Sequence, residues 1–443
     1  MYFLYSILLV VWGILLIPVF LYKAWRYHKY LPGLAQRLGR LPDSLRSDGR
    51  PTIWFHSCSV GETLSLQPLV QALHRRFPET RLLFSTITKT GQHVAMQRFA
   101  AYGEGNTFYF PIDLASVAKR VLNWTCPAMI IIVDTEIWPN LLNQAYRRGI
   151  PGVLANGRIS AASFRYYRWA RPVLRKVFRN YRILMMQSDE DASRIEQMGA
   201  SHEKIVVTGN IKFDRDPFEK ESSTKTAGDL AKDFRLGEAN TPLIVAGSTH
   251  QGEEKILLDV LQSLRCIHGL EKTRLLLAPR HPERFDAVAQ LVTRAGFTVR
   301  RRTDGAGQKE DAPVLLLDTV GELAEVYRFA TIVFIGGTLI HHGGHSIMEP
   351  ALCSKAIVTG PSMDNFRQIF EEFRSRGGIR HIDAGEKNPG LQTRQLLNVF
   401  QQLLQNREER DSLGATAFSI LERNRGAAER IGERIAAVFE EIR

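Results

Sequence analysis

The stretch TIWFHSCSVGET (residues 52–63) decides the fold class of this 443-residue chain. Its first half is a short apolar run with β-branched and aromatic residues, which predicts a buried strand. Its second half is a small polar loop that leads into helix-favouring sequence. The same order recurs along the chain, and such alternation predicts a parallel sheet with helices on both faces.

The apolar runs fall into two sets on either side of a polar, charged stretch. The first set comprises residues 52–58, 81–88, 107–112, 128–136, 152–159, 182–188 and 204–210. The second set comprises residues 242–249, 273–280, 314–319, 331–338 and 356–360. We therefore predict an α/β protein with two Rossmann-like, doubly wound domains that face a cleft. Ligands of such sheets bind beyond the carboxyl ends of the strands, so the strand-to-helix loops are the candidate sites.

The sequence pattern divides the chain into five parts. We predict a membrane anchor helix at residues 1–22, an N-terminal domain at 23–212 and a linker at 213–229. A C-terminal domain follows at 230–405, and a C-terminal helix at 406–443. The first part has no charged residue, and as a helix it would extend roughly 33 Å, enough for a hydrocarbon core of about 30 Å. Basic residues follow directly, and the positive-inside rule then places both domains on the cytoplasmic face of the inner membrane. Gly13 and Pro18 leave open a kinked helix that only dips into the inner leaflet.

The formal net charge of +12 favours anionic partners such as lipid headgroups, nucleotide phosphates or acidic sugars. Nucleic acid is not expected, because the basic residues are scattered and no basic-aromatic binding motif is present. The four cysteines lie far apart and form no CxxC pair. That spacing argues against a disulfide framework or a zinc site and for a reducing compartment.

Acidic and basic residues of the N-terminal domain are candidate catalytic or ligand-binding residues. Glu62 opens a helix at a strand end, where it could act as a general base or compensate the helix dipole, and the spacing leaves both roles open. Asp134 and Glu136 follow a long apolar strand and either share one side of it or cap the helix near Pro139. Lys212 borders the linker, where it could contact a phosphate.

The loops of the C-terminal domain carry groups that suit a phosphate. The segment GSTHQGEE (247–254) ends a strand at a helix start, and APRHPERF (278–285) offers Arg280 for bidentate contact. In GGTLIHHGGHSIMEP (336–350) four glycines let backbone amides converge on a phosphate, and a helix is expected near Ser346. The histidines of this loop could ligate a metal instead, but intervening glycines break the helical spacing, and we predict no metal site.

Together these loops resemble the bacterial transferases of Kdo (3-deoxy-D-manno-octulosonic acid) that act in lipopolysaccharide synthesis. The resemblance spans essentially the whole chain and rests on HSCSVGET, DTEIWPN, TGNIKFD, GSTHQGEE, PRHPERF, GGTLIHHGGH and GPSMDNF. It implies a GT-B fold and transfer of Kdo from CMP-Kdo to a lipid A precursor, lipid IVA, without a further cofactor. It also implies that the N-terminal domain binds the acceptor and the C-terminal domain binds the CMP-sugar.

The resemblance implies roles for single residues as well. Glu62 matches the proton acceptor of an inverting reaction, and Asp134 and Lys212 match positions that stabilise the transition state. The CMP-binding segments match Pro279, Arg280, Val320, Gly321, Glu322, Ser346, Ile347, Met348 and Glu349. The family usually has Glu at position 134, and GGHNPLE where this chain has GGHSIME. Two alternatives stay open: a membrane-associated GT-B enzyme that uses a UDP-sugar, and an inert, tethered protein that only binds sugar nucleotides.

Overall fold

The computed structural model describes residues 1–27, 33–134, 136–214, 227–236, 241–305, 312–386 and 388–442. The chain divides into two compact units. The first unit comprises Met1–Arg215 and Asn424–Arg443, and the second comprises Asp216–Arg423. The last helix of the chain therefore belongs to the first unit.

The first unit is built on a parallel sheet with the strand order β3-β2-β1-β4-β5-β6-β7. Its strands are β1 (Thr52–His56), β2 (Arg81–Thr86), β3 (Thr107–Tyr109), β4 (Met129–Val133), β5 (Gly152–Gly157), β6 (Tyr181–Met186) and β7 (Ile205–Val207). Its helices are α1 (Tyr2–Tyr27), α2 (Leu34–Arg37), α3 (Val60–Ser65), α4 (Gln67–Arg76), α5 (Lys89–Arg98), α6 (Ala115–Thr125), α7 (Pro139–Tyr146), α8 (Ala161–Tyr167), α9 (Arg171–Phe178), α10 (Asp189–Gln197) and, at the end of the chain, α19 (Ala427–Glu441). Short 3-10 turns lie at Asp43–Leu45, Ala100–Tyr102, Arg168–Ala170, His202–Lys204 and Ile211–Asp214.

The second unit repeats this plan with the strand order β10-β11-β9-β8-β12-β13-β14. Its strands are β8 (Leu243–Thr249), β9 (Arg274–Pro279), β10 (Val299–Arg301), β11 (Val314–Leu316), β12 (Ile332–Ile335), β13 (Ala356–Thr359) and β14 (Arg380–His381). Its helices are α11 (Ala227–Phe234), α12 (Glu253–Arg265), α13 (Phe285–Arg294), α14 (Leu323–Tyr327), α15 (Met348–Leu352), α16 (Arg367–Ser375), α17 (Pro389–Gln405) and α18 (Arg407–Asn424). Its 3-10 turns lie at Pro282–Arg284, Arg302–Asp304 and Asp364–Phe366.

The central strands are apolar along their whole length because helices cover both faces of each sheet. In β4 every residue is buried, and its side chains alternate between two cores of the first unit. Ile131 packs with α4 and α19 on one face, whereas Ile130 and Ile132 pack with α6, α7 and α9 on the other. The predicted two parallel α/β sheets are thereby confirmed.

The sequence predicted a membrane anchor helix over residues 1–22. A helix is present there, yet among the described residues no helix is long and apolar enough to cross a membrane. Its first turns instead use polar side chains to contact the first unit. The hydroxyl of Tyr2 donates to the Lys176 carbonyl, and the Asn140 amide donates to Ser6 at 3.0 Å.

Two further predictions concern chain segments. The prediction of a single C-terminal helix over 406–443 is wrong, because this segment forms two helices, α18 and α19. The break lies at Gly426, which adopts a positive φ of 81°. Most of the predicted linker, residues 215–226, lies outside the described residues. The sequence also missed β10 and β14, since strands of three and two residues that carry arginines give no apolar run.

Candidate functional site

In the first unit, the loop between β1 and α3 holds Glu62 in a fixed position. Ser59 is the N-cap of α3 and forms a capping box with Glu62. One carboxylate oxygen of Glu62 accepts from the Cys58 amide at 2.6 Å, and the other accepts from the Ser59 hydroxyl at 2.8 Å. Glu62 therefore does stabilise the helix start, and the residue is half-buried.

Asp134 lies at the end of β4, next to β1, and contacts Lys212. Its backbone has a positive φ of 59°, a conformation that Asp tolerates better than most residues. One carboxylate oxygen accepts from the Asn156 amide at 2.5 Å, and the other lies 3.6 Å from the Lys212 ammonium. The capping alternative is wrong, because the carboxylate of Asp113 accepts from the first amides of α7.

The acidic residues are close enough to affect one another. Burial raises the pKa of Asp134, the Lys212 charge opposes that rise, and the Glu62 charge adds to it. Burial likewise raises the pKa of Glu136, again with a contribution from Glu62. The structure thus brings Glu62, Asp134, Glu136 and Lys212 close to one another. They lie at the switch point of the sheet, because the chain leaves the neighbouring strands β1 and β4 in opposite directions.

Sequence reasoning missed two side chains of this site. Asn156 is fully buried and, besides contacting Asp134, accepts from the Ile211 amide at 3.0 Å, so it orients the turn that bears Lys212. His56 is also fully buried, with its ring stacked on Phe110 at 3.7 Å between centroids. Burial lowers the pKa of His56 to about 3, so this imidazole is neutral. The only signal for either was a polar residue inside an apolar strand.

In the second unit, Glu253 determines the conformation of the glycine-rich loop after β12. Its buried carboxylate accepts from the amides of Gly337 at 2.7 Å and of Thr338 and Leu339 at 3.0 Å. It also accepts from the His250 amide at 2.9 Å. The prediction that the amides of this loop converge on a phosphate is therefore wrong for these three residues, because they already donate to Glu253.

Histidines and arginines gather at the carboxyl ends of β8, β9 and β12. The Nε2 atoms of His250 and His345 are 2.9 Å apart, and the ring of His342 stacks on His250 at 4.3 Å. Burial and the neighbouring positive charges, Arg280 among them, lower the pKa of His250 to about 4. Burial and the charge of His250 lower the pKa of His345 to about 4. At these pKa values both imidazoles are neutral at pH 7, so they can offer hydrogen bonds to a ligand, while the positive charge at this edge comes from arginines such as Arg280.

The predicted CMP-binding residues follow β9, β11 and β12, whose carboxyl ends lie on one edge of the sheet. Pro279 ends β9, Arg280 is exposed, and Val320 is 79% exposed next to Gly321. Three of the other predicted residues have internal contacts or are buried. Glu322 pairs with Arg302 at 3.0 Å, Ser346 accepts from the Met348 amide, and Ile347 is fully buried. Met348 and Glu349 are half-buried.

The two parallel α/β sheets form a GT-B-like fold, and solved structures agree. UDP-GlcNAc 2-epimerase from Neisseria meningitidis has a TM-score of 0.58 at 12% identity, covering 87% of this chain and 100% of that chain. A glycosyltransferase from Rickettsia africae has a TM-score of 0.51 at 12% identity, covering 89% and 99%. At these identities the likeness shows the fold alone.

Sequence relatives narrow the class to one family. A family model described as "3-Deoxy-D-manno-octulosonic-acid transferase (kdotransferase)" matches residues 32–215. The 3-deoxy-D-manno-octulosonic acid transferase of Haemophilus influenzae is 32% identical over 393 residues, covering 88% of this chain and 87% of that protein. The same-named protein of Bordetella pertussis is 31% identical, with 85% of each chain covered. The chain belongs to the Kdo transferases, and the family inferred from the motifs is confirmed.

Proposed function

We propose that this Kdo transferase uses CMP-Kdo as the donor and a lipid A precursor, lipid IVA, as the acceptor, with Glu62 as the general base. The observation that carries the proposal is the position of Glu62. The residue is half-buried, and its carboxylate is fixed by two hydrogen bonds beside the Asp134–Lys212 pair. A base so positioned needs little reorganisation before it accepts a proton.

The proposed reaction is a single displacement at the anomeric carbon of Kdo. The acceptor oxygen forms the new bond as its proton moves to Glu62, and the bond from the anomeric carbon to the CMP phosphate breaks with its electron pair on the phosphate oxygen. Lys212 and Asp134 stabilise the charges that develop in the transition state. Attack opposite the leaving group inverts the configuration, and no cofactor takes part.

The second unit supports the choice of an anionic donor. CMP-Kdo carries a phosphate and a carboxylate. Arg280 supplies positive charge for such groups, and the neutral imidazoles of His250 and His345 can donate hydrogen bonds to them. Arg284 is less available to a ligand, because it pairs with the buried Glu254 at 2.7 Å. The neighbouring glycine-rich loop is held by Glu253, so we assign phosphate contact to side chains more than to the amides that Glu253 occupies.

We also propose that the enzyme works at the cytoplasmic face of the inner membrane, where a lipid acceptor is reached. Helix α1 exposes large apolar side chains, including Phe3 at 80%, Trp12 at 64% and Leu15 at 69%. Exposed apolar side chains along one helix mark an interaction surface, and contact of this helix with the membrane interface suits them.

The test of the base separates its two roles. Glu62→Gln retains an oxygen for the capping box but cannot take a proton, so we expect intact folding and CMP-Kdo binding with turnover reduced about 100- to 10,000-fold. The control Ser59→Ala removes the capping hydroxyl, and we expect it to lower the free energy of unfolding by about 1 kcal/mol with a much smaller loss of turnover. Near-normal Kdo transfer by Glu62→Gln would leave Glu62 as a helix cap only.

The donor is tested by product analysis. Purified enzyme is incubated with lipid IVA and either CMP-Kdo or a panel of UDP-sugars, and the mass of the lipid product is measured by mass spectrometry. We expect a Kdo-bearing lipid from CMP-Kdo alone. A product formed from a UDP-sugar and none from CMP-Kdo contradicts the donor assignment, whereas binding of CMP-Kdo without any product supports an inert binding protein.

A further inference from the structure

Three metal-ligand side chains meet where β1 and β4 end. The imidazole of His56, the thiol of Cys58 and the carboxylate of Glu136 place their ligand atoms within 4.8 Å of one another. The distance from His56 Nε2 to Cys58 Sγ is 3.7 Å. Ligand atoms of a tetrahedral zinc site lie roughly 3.5 Å apart, because zinc–ligand bonds are about 2.0–2.3 Å long. We propose that His56, Cys58 and Glu136 bind a divalent transition-metal ion of the zinc class, beside the sugar-transfer site.

The histidine is oriented as a metal ligand. Its Nδ1 lies 3.1 Å from the Ser85 carbonyl, which can only accept, and 3.0 Å from the Ser85 hydroxyl, so a proton on Nδ1 suits both contacts. The lone pair of Nε2 then faces Cys58. Metal-bound histidines usually donate their other nitrogen to such a carbonyl, which fixes the ring and its tautomer. Ring stacking with Phe110 at 3.7 Å between centroids holds the same orientation.

Hydrogen bonds also hold the backbone and the side chain of Glu136 in place. The hydroxyl of the fully buried Tyr181 donates to the Glu136 carbonyl at 3.1 Å, which fixes the backbone at this position. The side chain of Glu136 already accepts a hydrogen bond from the Cys58 thiol. The metal would replace the proton that these two groups share.

Charge and access both suit a cation. Besides Glu136, the carboxylates of Glu62 and Asp134 act on the Cys58 thiol, so the site has an excess of negative groups over Lys212. Cys58 and Glu136 are half-buried, whereas His56 is fully buried. A metal ion would therefore be held from the interior side and keep a position open toward solvent, as three-ligand zinc sites do.

A metal here would act on the position of Glu62. The Cys58 amide donates to Glu62 at 2.6 Å, so an ion that fixes Cys58 also fixes the carboxylate of the proposed base. The sequence alone does not predict these three metal ligands, because residues 56, 58 and 136 lie in two separate segments and form none of the usual zinc spacings.

Cobalt provides the test, because a thiolate bound to Co²⁺ gives a near-ultraviolet charge-transfer band. The full chain is stripped with a chelator and titrated with Co²⁺, and Zn²⁺ is then added to displace it. We expect one equivalent of Co²⁺ to give the band, Zn²⁺ to abolish it, and Cys58→Ser to lack it. Glu136→Gln should weaken Co²⁺ binding at least about tenfold. The matched control Cys353→Ser changes another half-buried free cysteine and should keep the band.

Two results overturn the proposal. One is a chain that shows no band at saturating Co²⁺, which leaves only a hydrogen bond between Cys58 and His56. The other is a band that persists in Cys58→Ser. If Cys58→Ser does not fold by circular dichroism, retention of Zn²⁺ by the wild-type chain after gel filtration decides instead, with one equivalent expected and none refuting the site. Neither readout depends on Kdo transfer.

Discussion

Asn156 shows how one buried amide can set the geometry of a site made by two distant segments. Its nitrogen donates to Asp134, and its oxygen accepts from the amide of Ile211, next to Lys212. The backbone of Asn156 is left-handed, with φ at 57°, and this conformation directs the side-chain nitrogen and oxygen toward their partners. Asn adopts it more readily than bulkier residues do. Asn156 is thus a positioning residue for the Asp134–Lys212 pair.

We predict that Asn156→Ala lowers kcat about 10- to 100-fold with little change in the KM for CMP-Kdo. The reason is that the pair loses its alignment, whereas the residues that we propose to bind the donor lie in the second unit. The control is Gln187→Ala, which removes a buried amide that donates to the Asn156 carbonyl at 3.0 Å and leaves Asp134 untouched. Steady-state kinetics of both variants check this, and equal losses in the two would reduce Asn156 to a packing role.

At the scale of elements, the glycine-rich loop depends on helix α12. Glu253 begins that helix and accepts four amides, three of them from residues more than 80 positions further along the chain. A buried carboxylate is stable only with such compensation, so loop and helix form together. The loop is therefore pre-formed before a donor arrives.

We expect Glu253→Gln to loosen this loop. The amide nitrogen of Gln cannot accept, so buried N–H groups lose their partner at a cost of about 2–4 kcal/mol. Hydrogen exchange by mass spectrometry should show faster exchange over residues 336–350. The exposed Glu271→Gln of the same unit should leave it unchanged. Identical protection in Glu253→Gln and wild type would contradict the role of Glu253.

The same elements show what the sequence could predict. Central strands such as β4 were predicted because burial on both faces requires an unbroken apolar run. Glu62 and Asp134 were singled out because they follow such strands, and Lys212 because it borders the linker, whereas the roles of all three rested on the family resemblance. The functions of Asn156 and Glu253 were not, because each depends on partners far away in the chain, and a polar residue in a strand or a helix start has many ordinary uses. The same distance concealed the His56, Cys58 and Glu136 set.

At the scale of the whole molecule, the exposed apolar side chains of α1 predict membrane contact. We expect Leu8→Ser combined with Trp12→Ser and Leu15→Ser to reduce binding to phosphatidylglycerol-containing vesicles at least about tenfold, since each buried large apolar side chain contributes about 1.5–3 kcal/mol. Flotation assays measure this. The control pair Met96→Ser and Val207→Ser removes exposed apolar side chains of the same unit outside α1. Equal vesicle binding by all variants would exclude α1 as the contact.

The return of α19 to the first unit has a consequence for how the protein is made. Seven residues of α19 complete a core that otherwise consists of residues near the start of the chain: Ala427, Ala428, Ile431, Ile435, Ala436, Val438 and Phe439. A ribosome adding roughly 5–20 residues per second would need on the order of tens of seconds to produce the second unit in between. During that interval the nascent first unit exposes the apolar groove that α19 later fills. We therefore expect this core to close only once α19 has left the ribosome, and not when the first half of the chain emerges.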